Sequence, residues 1–290
     1  MQSAVRLESQ PHAGPTYWAS RVGLILAVIA FLAPAVAHGI DVWLTDEEFT
    51  YGFLIPPIAA ALVFWRRKAL RDSVGSGANA GLIVAVLAVG MTLLGRRLGI
   101  HVLGGIAISP LVWGIAVYLW GWGVGRVLAF PLGFLIFGFG LYRGLLNSLG
   151  FALQNLTAIG AEWGGHLVGL HIARDGLLLQ SQTFGFVVAQ TCSGMSSLLS
   201  MLALAALWIY ATRGSIRGRA AVILGVLPLV VLANTTRVTL VLLVASWLGQ
   251  DAALGFFHGA SDLVLFGMAL AGLFAISRMV GCRLAAFATA

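Results

Sequence analysis

Long apolar runs separated by short polar breaks organise this chain, at about 22–40, 49–65, 79–95, 102–121, 127–141, 192–210, 220–247 and 258–277. A helix rises about 1.5 Å per residue and the hydrocarbon core of a bilayer is about 30 Å thick, so roughly 20 apolar residues cross it. The pattern predicts an all-α polytopic membrane protein with about eight transmembrane helices. The fifth run is the shortest and is interrupted by Pro131 and by glycines.

Between the fifth and sixth runs, 142–191 is the most polar stretch, with Asn147, Gln154, Asn155, Glu162, His166, His171, Arg174, Asp175, Gln180 and Gln182. Its first part carries Leu145, Leu149, Leu153, Leu156, Ile159, Trp163 and Leu167 at helical spacing. That spacing fits an interfacial helix or a ninth span. The second part, Leu177 to Ala189, alternates short apolar and polar groups and predicts an extended segment leading to Cys192. A small extracytoplasmic helix and extended segment are therefore expected between spans five and six.

Composition strengthens the membrane reading: of 290 residues 60% are hydrophobic and only 9% charged, with a mean hydropathy of +0.97. The net charge of +7 would suggest nucleic acid in a soluble protein, but here the basic residues cluster between apolar runs. Arg66, Arg67, Lys68 and Arg71 follow the second run, Arg213, Arg217 and Arg219 the sixth, and Arg278 and Arg283 the eighth. The positive-inside rule explains these clusters and places both chain ends in the cytoplasm. Asp41, Asp46, Glu47 and Glu48 then fall outside, as do Arg96 and Arg97, which run against the rule. No small-residue cleavage site follows a short apolar core near the start, so no cleaved signal peptide is expected. The organisation is a cytoplasmic tail over 1–20, one integral membrane domain over 21–277 and a cytoplasmic tail over 278–290. Nine tryptophans, several near run ends, read as interfacial anchors.

Three reactive side chains lie one membrane thickness from a basic cluster. Helical rise puts Cys192 about 32 Å from Arg213, Arg237 about 27 Å from Arg219 and His258 about 30 Å from Arg278. All three can meet at the same outer rim, where a thiol, a guanidinium and an imidazole suit covalent catalysis. Cys192 stands in the small, polar segment Gln190-Thr191-Cys192-Ser193-Gly194 before a long helix, whose N-terminal dipole favours the thiolate. The plainer reading is an inert buried cysteine. Cys282 sits on the opposite face in this topology, so a disulfide is not expected.

Asn234-Thr235-Thr236-Arg237 interrupts an otherwise apolar run. An arginine within a span costs about 2.5 kcal/mol or more and so faces a polar partner or snorkels to the interface. His258 and Asp262 are four apart and would share one helical face, the carboxylate orienting the imidazole. Glu162, His166 and His171 do not have the i,i+4 histidine spacing of a zinc helix, and no glycine-rich phosphate loop is present. No metal and no cofactor are expected.

Three blocks together resemble the exosortase/archaeosortase family: Cys192-Ser193-Gly194 at a span start, Asn234-x-x-Arg237-Val238 within a later span and His258 opening the last. Tyr51-Gly52-Phe53-Leu54-Ile55-Pro56 and Trp65-Arg66-Arg67 resemble its early signature. Tyr51 stands where many members have a histidine, and the short proline-containing segment before the central extracytoplasmic stretch is absent around 139–143.

The resemblance implies a membrane cysteine transpeptidase of the bacterial cytoplasmic membrane, with an extracytoplasmic catalytic segment over 185–265. Its substrates would be exported proteins ending in a short motif, a transmembrane helix and a basic tail. The family's Cys, Arg and His map onto Cys192, Arg237 and His258, with Asn234, Asp262, Ser193 and Gly194 in support. Lipid surrounds the protein, the acceptor is an amine, a glycan-linked group or water, and nucleic acid is not a partner. Two other readings use the same residues: a transporter lined by Arg237, Asp262 and His258, and an intramembrane cysteine protease.

Overall fold

The computed structural model describes residues 15–139, 143–188, 194–259 and 261–284. Four of its helices are long and apolar enough to cross a membrane, Leu26–Thr45, Asn79–Leu98, His101–Gly138 and Ile216–Leu248, and three shorter apolar helices accompany them. The protein is a helical, multi-pass membrane protein.

The first half is built from α1 (Pro15–Thr45), a 3-10 helix (Glu47–Leu54), α2 (Ile55–Trp65), α3 (Arg67–Asp72), α4 (Asn79–Leu98) and α5 (His101–Phe134). Gly99, in the left-handed conformation at φ 69°, ends α4 and turns the chain into α5. Small residues let these two helices approach closely: a Cβ on Gly81 or Gly114 would run into the backbone of the other helix.

His101–Gly138 is one apolar run in sequence, yet it is not one rod. At Gly121 the backbone takes φ 83° and ψ −178°, a conformation only glycine adopts readily, and α5 folds back on itself. The Trp113 indole donates to the Gly125 carbonyl at 2.8 Å across this turn, and Phe139 lies against Gly105. In a straight helix positions 105 and 139 would stand about 50 Å apart. The runs expected at 102–121 and 127–141 are thus two antiparallel arms.

In the second half, α7 (Met195–Ala211), α8 (Ile216–Leu248), α9 (Gln250–Gly259) and α10 (Ser261–Met279) follow one another. Ser215 caps α8 by accepting from the Gly218 N–H. Helix α10 runs antiparallel to α8, with Gly225 against Ile276 and Gly272 against Leu229. Two short strands, Thr212–Arg213 and Arg283–Leu284, pair antiparallel and tie the end of α10 to the α7–α8 loop. They gather the basic clusters of 213–219 and 278–283 at one end of the bundle. The run expected at 258–277 is helical on both sides of residue 260, which lies outside the described residues.

Helix α6 (Arg143–Leu167) and a three-stranded antiparallel sheet fill the polar stretch. The strands are β1 (Ala173–Asp175), β2 (Leu178–Gln180) and β3 (Gly185–Val187). An all-α reading misses this sheet. The expected extended segment supplies two of its strands, while β1 pairs through the Asp175-Gly176 turn, where Gly176 has φ 59°. Inward-facing Leu179, Ile172, Phe184 and Val188 share a core with Ala158 and Ala161 of α6, Val241 and Leu242 of α8, and Ala253 of α9. A Glu162–Arg174 ion pair at 3.1 Å and a His166 Nε2 to Ile172 carbonyl contact at 2.8 Å clip the sheet to α6. Glu162, His166 and Arg174 are thereby occupied in structure.

Candidate active site

The middle of α8 joins two cores. Val226, Val230 and Ala233 belong to one, shared with α7 and α10, and Val238, Val241 and Leu242 to the other, shared with α6 and the sheet. Asn234 and Arg237 lie between them on the same helical stripe, three residues apart. Asn234 is 1% exposed and Arg237 is 6% exposed. Arg219, at the basic end of the same helix, is 18 residues and about 27 Å away.

Helix α6 runs parallel to this part of α8. Gly160 faces Thr235 and Gly164 faces Thr239, and a Cβ at either glycine would overlap the threonine side chain. Here the small-xxx-small pattern Gly160-Ala161-Glu162-Trp163-Gly164 brings two backbones into contact. At that separation a short side chain bridges the helices: Asn234 Nδ2 donates to Thr157 Oγ1 at 3.0 Å, with both residues buried. Sequence reasoning had not singled out Thr157. The glycine spacing on α6 was the signal that could have found its helix.

Gly194 opens α7 in the left-handed conformation, φ 75°. A Cβ there would come within 3.3 Å of Asn234 Nδ2 and Val230 Cγ1. Both the backbone and the close approach therefore require glycine at this position. Cys192 and Ser193, the two residues before it, lie outside the described residues.

After Gly249 the chain reverses, α9 folds back along α8, and Ala253 enters the core with Val241, Leu242 and Ala245. His258 lies five residues further along α9, about 7.5 Å of helix in the direction of Arg237. His258 and Asp262 stand on helical backbone on either side of residue 260, and the expected pairing of their side chains lies outside the described residues. The described residues thus bring together Gly194, Asn234 and Arg237, and add Thr157.

The early signature also has a packing role. Gly52 lies on the Trp43 indole, where a Cβ would overlap the ring, and Trp43 Nε1 donates to the Gly138 carbonyl at 2.6 Å. Phe49, 1% exposed, reaches the core that also holds Met195 and Leu199 of α7. The segment after α1 thus supports the start of α7.

Cys282 is a free thiol buried at the basic end, its Sγ against Gly214 and Gly218. Gly218 and Asn234 are 16 residues apart on α8, about 24 Å. Cys282 thus lies at the other end of α8 from Asn234.

Fold and buried polar layer together define a multi-pass membrane protein with an elaborated far end built around one overlong helix. The family model described as transmembrane exosortase matches residues 43–275, and the chain belongs to that family. Comparison with curated proteins and with solved structures gives no match. Membership supports a protein-processing transpeptidase role in the membrane, acting on exported proteins.

Proposed function

We propose that this protein cleaves C-terminal sorting signals of exported proteins through a thioester at Cys192, on the membrane face away from the basic end. The observation that carries this reading is the buried pair Asn234 and Arg237, with Gly194 seated on Asn234 only two residues beyond the cysteine. Burying a guanidinium is costly, so such a position marks a site where its charge is used. The basic end faces the cytoplasm of a bacterial inner membrane by the positive-inside rule.

The Cys192 thiolate attacks the scissile carbonyl, forming a C–S bond and a tetrahedral oxyanion. Arg237 donates hydrogen bonds to that oxyanion or aligns the substrate backbone, and its charge persists at any working pH. The C–N bond then breaks, and His258 gives the leaving amine the proton it took from the thiol. An amine, a glycan-linked acceptor or water attacks the thioester and restores the thiol. Asn234 orders the groups around the cysteine; Asp262, Ser193 and Gly194 complete the segment.

The test compares C-terminal peptides of envelope proteins by mass spectrometry in cells lacking the protein, complemented with wild type or Cys192→Ala. A set of proteins should lose its C-terminal helix with wild type alone, and the mass of the new C-terminus reads transfer against hydrolysis. Identical termini from the two strains would sink the covalent reading.

A further inference from the structure

We infer that Thr157 is a positioning residue: its hydroxyl, accepting from Asn234 Nδ2, anchors the Asn234 amide to α6 and so orders the polar layer beside the nucleophile segment. The inference rests on the proposed cysteine chemistry and adds a residue from α6 to it. Thr157 and Asn234 are each 1% exposed, so no bulk water competes for their 3.0 Å hydrogen bond. An asparagine amide carries its donor, Nδ2, and its acceptor, Oδ1, in one plane on either side of the Cβ–Cγ axis. With Nδ2 committed to Thr157 on α6, Oδ1 is turned away from that helix. Gly194 at the start of α7 leaves room beside the same amide, where an added Cβ would stand 3.3 Å from Nδ2 and 3.4 Å from Cγ. The amide is therefore held on α6 by Thr157 and lies beside the space that Gly194 keeps open at the start of α7.

The bond spans 77 positions in sequence and depends on how closely α6 lies on α8. That closeness comes from Gly160 and Gly164 just beyond it, which seat α6 against Thr235 and Thr239. Helix α6 thus holds the active-site asparagine as well as covering it. Buried polar pairs of this kind set geometry because the unmade bond leaves a donor stranded.

The experiment measures the rate at which a reporter carrying a native C-terminal signal is processed, normalised to the amount of enzyme in the membrane. Variants are Thr157→Val, which keeps the shape and removes the hydroxyl, Thr157→Ser, Asn234→Ala, the Thr157→Val/Asn234→Ala pair, and Cys192→Ala. Thr157→Val should slow processing about tenfold, the kinetic weight of one net hydrogen bond. Thr157→Ser should restore most of the rate, and the double variant should be no slower than Asn234→Ala alone. Equal slowing by Val and Ser, or a double variant slowed by the product of the two single effects, would overturn the inference. So would a Thr157→Val enzyme at the wild-type rate while Cys192→Ala is dead. Processing that survives Cys192→Ala would instead remove the cysteine reading itself.

Discussion

One helix lives in two environments. The near half of α8, 216–232, shows an open face with Ile223, Leu224, Leu227 and Leu232 outward, Leu224 at 73% exposure. In 233–245 every residue is buried or half-buried, because α6, α9 and the sheet pack against this stretch. The near half is apolar where it meets lipid. Asn234, Thr235, Thr236 and Arg237 appear as soon as the wrapping begins. Polar groups are placed where protein, not hydrocarbon, surrounds the helix. A helix longer than the bilayer thus serves as an anchor in one half and as the frame of a site in the other.

The largest test of this contrast is the charge itself. Arg237→Gln is expected to lower reporter processing by at least about 100-fold, the scale of losing one oxyanion donor, with the protein still present in the membrane. A fully active Gln variant would reduce the far half to packing alone. Next comes stability, read by unfolding in detergent. Leu242→Ala, fully buried, should cost about 2–5 kcal/mol, whereas Leu224→Ala on the open face should stay within about 0.5 kcal/mol. Equal costs would erase the distinction between the halves. The smallest effect concerns close approach: Gly164→Ala pushes a methyl into Thr239 and should destabilise by about 1–3 kcal/mol. Gly255→Ala, which meets nothing within 4 Å, should be neutral or stabilise by up to about 1 kcal/mol.

Hydrophobic runs made most helices legible, since span length is a local property of the chain. The glycine-rich interruption near 121 even separated the two arms of α5. Helix α6 stayed open between interfacial and spanning because its partner is decided by Gly160 and Gly164 meeting Thr235 and Thr239, which no local window contains. The sheet was half legible for the same reason: its first strand, Ala173–Asp175, has too few residues to show a period. Within the site, Asn234 and Arg237 stood out as polar residues in an apolar run. Thr157 did not, since a threonine hydroxyl can satisfy itself on its own helix and reveals its role only through its distant donor, the Asn234 amide.

The hairpin at Gly121 has a consequence for synthesis of the chain. As one rod, His101–Gly138 would be about 57 Å long, nearly twice the membrane core, and everything after it would emerge on the wrong side. The turn at Gly121, where an added Cβ would overlap the Ser76 carbonyl, and Arg126 just beyond it divide the run into two short apolar arms. A substitution such as Gly121→Leu is therefore a change of topology before it is a change of stability. A compartment-sensitive reporter fused after Gly138 should switch sides in a fraction of the chains, and an unswitched reporter would show that neighbouring helices alone dictate the turn.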